Sequence, residues 1–502
     1  MTFRPTEQQS FAADAVRSGK RVRIAAYAGT GKTSSLVFIA GQDRRRSTYL
    51  AFNKSIAMDA KSKFPRHVDC LTTHAMAFRA MRPTFARMPD KMTNNFNGGL
   101  AARALGLKAL DVGPSIKLSP RAYGAIVVEA VRRYMRSGAE KMGEWCVPMD
   151  GALGNVTPAV ESAFKVAVLG KAWHLWSLMI DPSNPFPLSH DGYLKLWALG
   201  RPTIPGDVIF LDEAQDTNGV VLSLIRHQTA QVVCVGDQHQ QLYEWRGAQN
   251  AMAELPCDIE ARLSKSWRFG LEAAANASRY LALLGETVPL EGNGARRTAI
   301  VEAIDRPNTI LARTNARLIE VLIGALTRNE RPFVVGGVSE ILSMLDAAEQ
   351  LQSNQPVDRP LEFVGFESWH AVEEASEQPG GEDLKRWVNL VNTYGVTQLR
   401  DALNRLPRHE ADASVLLSTG HKAKGREWDR VRLEDDFLRG VKSEGEGGKD
   451  TPINEADPSA VNSELRLLYV AATRGMVETE IPAKLHEKVA ALEARRAKAR
   501  AA

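Results

Sequence analysis

The sequence predicts an α/β protein of two parallel-sheet P-loop domains, each interrupted by an inserted, mainly helical segment. Three observations carry this. Short β-branched runs recur in both halves, and each ends in small or polar residues, as strands of an open parallel sheet do where ligands sit. A phosphate-loop pattern, AAYAGTGKT, follows the first of these runs and opens a helix-like segment, SSLVFIAG. Between the third run and the fourth lies a helix-like stretch, 79–204, far too long for a structureless loop in a compact domain.

Taken in order, the first set of runs is RVRIAAYAG (21–29), STYLAF (47–52), HVDCLTT (67–73), DVIFLDE (207–213) and QVVCVGD (231–237). The interruption is rich in Ala, Met and Trp and is broken by DPSNPFP (181–187). A second set begins past 270: NTILART (308–314), RPFVVGG (331–337), ASVLLST (413–419) and DRVRLED (429–435). Gln- and Glu-rich sequence over 352–412 suggests a second, smaller insertion. The segment 440–459 has the composition of a mobile loop, and 485–502 reads as a solvated basic helix, frayed at its end.

Composition bounds the class. At 502 residues the chain exceeds what one core supports, so several domains are expected. With 44% hydrophobic and 25% charged residues it reads as an ordinary soluble globular protein. Its 64 basic and 59 acidic residues leave +5, which permits an anionic partner without arguing for one. The four cysteines form no CxxC pair, which speaks against a zinc site or disulfide framework and for a reducing compartment. The amino terminus, MTFRPTEQQS, has no apolar signal core and no run reaches membrane-spanning length, so a cytoplasmic protein is expected.

The chemistry begins at the phosphate loop. Gly29 and Gly31 let the backbone around Ala28 and Thr30 curl until its N–H groups face phosphates. Lys32 would neutralise the terminal phosphates and the Thr33 hydroxyl would ligate Mg²⁺. The general motif begins with Gly, and here Ala26 holds that place. An acidic strand end, VIFLDEAQD, supplies what the loop requires: Asp212 to hold Mg²⁺ and Glu213 to polarise an attacking water. The pair argues for ATP hydrolysis.

Further segments follow in a characteristic order: PTEQQ (5–9), LAFNKSIAMDA (50–60), LTTHAMAFR (71–79), DEAQD, VGDQHQQLYEWRGA (235–248), LSKSWRF (263–269), STGHKAKGREWD (418–429) and ELRLLYVAATRG (464–475). Together they resemble the motif set of the UvrD/Rep/PcrA class of superfamily 1A DNA helicases, across nearly the whole chain. FNKSIA, HKAKG and the DDF after the last strand most resemble the F-box DNA helicases and their bacterial and phage relatives, although the chain shows no F-box. Ala in the place of Ala26 is normal in that class.

The resemblance implies two RecA-like domains: 1–78 with 205–268, and 269–351 with 413–484, the insertions being 79–204 and 352–412 and the basic tail 485–502. It implies that Gln8 reads adenine, Trp267 stacks on it and Glu427 accepts a hydrogen bond from the ribose. Gln240 would sense the γ-phosphate, and Arg268 and Arg474 would reach it from the second domain. Phe52, Tyr243 and Trp245 resemble residues that stack single-strand bases, with Asn53, Thr72, His74, Arg246, Thr419 and His421 on or beside the phosphate-sugar backbone. None of these reads base edges, so binding without sequence preference is expected.

Three departures stand out. Only 352–412 is available where larger relatives carry a big regulatory insertion, Arg426 replaces an apolar residue, and Trp428 replaces Phe. The expectation is an ATP- and Mg²⁺-dependent 3′→5′ DNA helicase and single-strand translocase, acting as a monomer on single-stranded and tailed duplex DNA. The alternatives are a translocase that strips a recombinase or single-strand-binding protein with little unwinding, and a nucleotide-switched DNA-binding protein.

Overall fold

The computed structural model describes residues 4–92, 95–114, 116–242, 250–378, 381–441 and 458–501. Among them two six-stranded sheets stand out, and every pairing within each is parallel.

The first sheet comprises β1 (Val22–Ala26), β2 (Ser47–Leu50), β3 (Val68–Leu71), then, after a two-stranded hairpin β4 (Leu110–Val112) and β5 (Ile116–Leu118) that stands apart, β6 (Val208–Leu211), β7 (Gln231–Gly236) and β8 (Ile259–Leu263). Its order is β3-β2-β6-β7-β1-β8. The second sheet comprises β9 (Ala299–Val301), β10 (Thr309–Ala312), β11 (Pro332–Val334), β12 (Val415–Thr419), β13 (Trp428–Leu433) and β14 (Gly475–Glu480), in the order β11-β12-β10-β13-β14-β9. The expected pair of parallel α/β sheets is present.

Central strands such as β6 and β7 are buried at every residue, which is why they read as unbroken apolar runs. Three strands carry no such run. β8 (IEARL) is an edge strand on β1, and β9 is an edge strand of only three residues. β14 (GMVETE) is internal but half polar, because Glu478 and Glu480 reach Arg430 and Arg432 of β13 at 2.8 and 2.7 Å. Such ladder pairs hold a strand that hydrophobicity alone would not reveal.

The insertions are less separate than the sequence suggests. Between β3 and β6 run the helices Gly98–Ala104, Pro120–Arg136, Pro158–Ile180 and His190–Leu199, together with the β4–β5 hairpin, so the segment is not purely helical. Their core (Ile126, Val127, Leu175, Trp176, Leu194) is continuous with Ile209 and Leu211 on one face of the first sheet. In the second half the helices Trp369–Ser376, Glu382–Tyr394 and Val396–Asn404 share one cluster with Ile310, Val334 and Leu417 of the second sheet. Neither insertion has a core walled off from its sheet.

The two insertions also meet. Val364 and Leu361 pack into the core of the first, the Ser119 hydroxyl donates to Asp358 at 2.6 Å, and the backbone of Gly151 lies against that of Glu362.

The carboxyl-terminal segment corrects one expectation. It forms the helix Ala483–Ala501, neither solvated all round nor frayed along its length, because Leu485, Val489 and Leu492 form an apolar stripe buried beside the second sheet. Arg279 clamps Glu493 at 2.9 and 2.8 Å. Most of 440–459, expected as a loop, lies outside the described residues.

Candidate nucleotide and nucleic-acid site

β1 ends at Ala26, and the chain turns through Tyr27–Gly31 into the helix Lys32–Gln42. Gly29 and Gly31 have φ of +74° and +78°, a region costly for any residue with a Cβ. At Gly29 space also forbids one, since it would lie 2.6 Å from Arg268 Cβ and against the Ser266 hydroxyl. The segment after β8 is therefore laid directly on the loop, and the Trp267 amide donates to Gly29 O at 2.8 Å. Beneath the helix start, Ser35 donates to Gly31 O at 2.9 Å and receives Gln9 at 2.9 Å.

Charge converges on this loop. Lys32 Nζ lies 3.2 Å from Glu213 Oε1. Burial works against the lysine's charge, but Glu213, Asp237 and Asp212 together outweigh it and hold its pKa above the ordinary value. Burial likewise opposes ionisation of Glu213, and Lys32 and Lys424 overcome it, so Glu213 stays anionic. Asp212 is pushed up by burial and by the charge of Glu213 next to it. Its Oδ1 accepts the Glu213 amide at 2.9 Å and its other oxygen accepts the buried Tyr49 hydroxyl. Glu213 itself stands at φ +49°, and Gln215 donates to its carboxylate at 2.5 Å. Lys32 and the Tyr49 hydroxyl favour the Asp212 carboxylate but do not outweigh burial and Glu213.

The second half of the chain reaches this cluster at four places. The Tyr469 hydroxyl, from the helix Pro458–Ala472, accepts the Ala28 amide at 2.9 Å and donates to Asp237 at 2.9 Å. Arg474 is buried, with Nη2 3.5 Å from Gln240 Oε1, and burial followed by the neighbouring Arg268 pushes its pKa down. The Lys424 ammonium donates both to Asp216 and to Gln240 O. Arg268 binds Glu427 at 2.6 Å and the carbonyl of Thr473 at 3.1 Å.

Several sequence expectations are thereby located. Lys32, Asp212, Glu213, Gln240, Arg268 and Arg474 come together around one cleft. Arg268, expected from the second domain, comes instead off the end of β8 in the first sheet, because its segment continues that strand past the phosphate loop. The Ala28 amide, expected on a phosphate, is bonded to Tyr469. Glu427, expected on a ribose, faces Arg268. Gln8 is held by Ser264, donating at 2.8 Å and accepting at 2.9 Å. Trp267 is 41% exposed beside Gly31, with the Lys265 ammonium 5.2 Å over its ring. Thr30 turns its hydroxyl back to Tyr27 O at 2.9 Å, and Thr33 stands half-buried in the first helical turn.

The residues expected on nucleic acid divide. Phe52 is 52% exposed at the carboxyl end of β2. Asn53 and Thr72 cap helices, accepting the amides of Ile56 and Ala75 at 2.9 and 3.1 Å. His74 binds Asp191 of the first insertion at 3.1 Å, where Arg136 also converges. Thr419, the last residue of β12, and His421 just beyond it line a cavity at the second sheet. Tyr243, Trp245 and Arg246 lie outside the described residues.

Sequence reasoning missed Tyr469, Lys424, Asp216 and Asp237. All four stand inside motifs the sequence displays, and a signal existed for two: HKAKG offers a second cation, and DEAQD a further carboxylate. The donor set suits a nucleoside triphosphate with a divalent cation: left-handed glycines and a lysine for phosphates, and hard oxygen donors at Thr33 and Asp212 for the ion. When bound, that ion supplies positive charge against the phosphates.

Comparison with known proteins bears on the same residues. Positions 205–255, carrying Asp212, Glu213 and Gln240, match the UvrD/REP helicase N-terminal domain. F-box DNA helicase 1 of Gallus gallus is 27% identical over 511 residues, covering 93% of this chain and 48% of its own length. F-box DNA helicase protein 1 of Schizosaccharomyces pombe is 29% identical over 507 residues, covering 93% of this chain and 56% of its own. By sequence, the chain is similar to UvrD-like superfamily 1 helicases. It spans about half the length of the curated relatives it matches. A solved helicase, described as the structure of PRRSV helicase, aligns over 95% of this chain and 55% of its own at a TM-score of 0.32 and 12% identity.

Proposed function

We propose that this helicase relative is an ATP-dependent motor that moves 3′→5′ along single-stranded DNA and opens duplex ahead of it. One observation carries the reading: Lys32 and Glu213 are paired at the phosphate loop while Tyr469, Lys424 and Arg474 reach the same cluster from the second half of the chain. ATP held at the loop is read from both sides of the cleft. Glu213, kept anionic, orients the attacking water, and Arg268 and Arg474 meet the charge that develops on the phosphates. Arginines so placed contribute about 10³–10⁵ in rate. Hydrolysis then requires a closed cleft, and its products release it, which turns chemistry into stepping.

Phe52 is the exposed aromatic on which a base stacks, and Tyr243 and Trp245 join it on the resemblance. Separating duplex costs roughly 1.4 kcal/mol per step, so net unwinding needs ATP. The polarity rests on the family. A second reading, clearance of recombinase or other protein from single strands, is favoured by the shortness of the second insertion.

The test is ATP turnover with single-stranded DNA, duplex and RNA, beside displacement from 3′- and 5′-tailed duplexes and clearance of a recombinase filament. Stimulation by single strands and opening of 3′-tailed duplex are expected. Indifference of ATP turnover to every nucleic acid refutes the motor, and opening only 5′-tailed duplex refutes the polarity.

A further inference from the structure

Glu286 follows the helix Leu271–Leu283, whose buried face packs in the core of the second sheet, yet its carboxylate lies among residues of the first sheet. Its Oε1 accepts Gln238 Nε2 at 2.7 Å and His239 Nε2 at 2.8 Å, both from the three-residue turn Gln238–Gln240 after β7. Its Oε2 accepts Arg262 of β8 and lies 3.1 Å from the hydroxyl of Tyr27, the first residue past β1 toward the phosphate loop. Side-chain exposure is 6% at His239 and 8% at Glu286, so water competes little for this bond.

One buried carboxylate thereby spans two walls of the nucleotide cleft, the turn on one oxygen and the loop's entry on the other. The turn has a tether of its own. Asp237 accepts the amides of His239 and Gln240 at 3.0 and 2.9 Å, and Gln240 Nε2 donates to Asp237 Oδ2 at 2.8 Å. That tether orients Gln240 but comes from the end of its own strand, so it leaves the distance across the cleft unset. His239 sets it. A carboxylate only accepts, so the imidazole Nε2 carries the proton. The ring is fixed in plane by Tyr469, edge-on at 6.4 Å, and by Tyr27, tilted at 6.4 Å. The His239 bond, ahead of Arg262, also holds the Glu286 carboxyl well below the usual carboxylate range against its burial.

We propose that His239 is a positioning residue for ATP hydrolysis: by donating to Glu286 it holds Gln240 where the γ-phosphate arrives. The inference rests on the reading of the chain as an ATP-driven motor with Gln240 on that phosphate, and it adds what keeps Gln240 in place. ADP lacks the γ-phosphate, so cutting the link separates turnover from nucleotide binding.

Turnover of ATP by the full chain is measured at saturating ATP and oligothymidylate, beside ADP affinity by displacement of a fluorescent nucleotide. His239→Phe keeps a ring and loses the donor. Its kcat is expected to fall about tenfold while its ADP dissociation constant stays within about twofold of wild type. His239→Gln returns an N–H at the reach of Nε2 and should recover most of the rate, whereas His239→Asn, one methylene shorter, should stay slow. In a Glu286→Leu background, His239→Phe should cost less than about twofold further. Wild-type turnover by His239→Phe, with Gln240→Ala slow, overturns the inference and leaves the motor standing. Equal losses from His239→Phe with and without Glu286, or equal rates for the Gln and Asn variants, also overturn it, because the side chain then acts by packing alone. If Gln240→Ala turns over ATP as wild type does, the γ-phosphate reading falls and the inference with it.

Discussion

The hydroxyl of Tyr469 accepts the Ala28 amide and donates to Asp237, both at 2.9 Å, so one buried side chain from the second half of the chain ties the phosphate loop to the strand end beside it. Tyr469→Phe removes both bonds and keeps the packing. Two buried polar groups then lose a partner, at about 1–3 kcal/mol each. A lower melting temperature and at least about a tenfold loss of DNA-stimulated hydrolysis are expected, with nucleotide binding less affected. Unchanged turnover would show that the tie is not part of the cycle.

Gly29→Ala should be among the most damaging small substitutions in the chain. It places a Cβ at φ +74° and 2.6 Å from Arg268 Cβ, so the loop and the segment 266–268 cannot both stay where they are. The expected result is loss of nucleotide affinity of more than about tenfold, from backbone strain and the clash together, measured by titration with a fluorescent ATP analogue.

Lys424 and Asp216 form a nearly fully buried pair through Asp216 Oδ2, which also accepts Gln215 at 3.3 Å, while Asp216 Oδ1 accepts no hydrogen bond among the described residues. Burial already raises the Asp216 pKa to about 6, against the pull of Lys424. Lys424→Ala leaves that carboxylate with no cation bonded to it and should destabilise the fold by about 3–5 kcal/mol. Lys424→Met with Asp216→Asn removes both charges and should recover most of this in chemical denaturation. Equal losses in the single and double variants would contradict the pairing.

Lys195 supplies a pH test away from the cleft. Its ammonium sits 4.4 Å over the Tyr134 ring and donates to Ser137 O and Ala139 O at 2.8 and 2.5 Å, with no carboxylate among these partners. Burial pushes its pKa down to about 8. A depressed lysine binds fewer protons folded than unfolded between about pH 8 and 10.5, so stability rises with pH across that window and the cost of burying the charge is fully present below it. Between pH 8 and 10 wild type should gain roughly 2–3 kcal/mol relative to Lys195→Met, whose curve lacks this contribution. Parallel curves would mean that the site is hydrated.

How much of this was legible in sequence follows from physics. β6 and β7 are buried on both faces, so their apolar runs announce them, and the phosphate loop after β1 and the Asp212–Glu213 strand end are local patterns readable without tertiary knowledge. β8, β9 and β14 were silent, because two are edges and the third is held by arginine–glutamate ladders. Tyr469 was silent for another reason: in ELRLLYVAATRG it looks like one more core aromatic, and only the fold brings its hydroxyl to residue 28. Helix caps hid two roles as well, since Asn53 and Thr72 have a full local explanation before any strand of nucleic acid is considered.

Val364 lies in the second insertion, yet it is buried in the core of the first. The second half of the chain meets the phosphate loop through hydrogen bonds and ion pairs, and through an apolar cluster that joins Tyr27 and Ala28 to Tyr469. Withdrawing Val364 exposes apolar surface with nothing to take its place. On the proposed cycle, an opening at the phosphate loop would leave Val364 buried in the first insertion, and that contact would serve as the pivot.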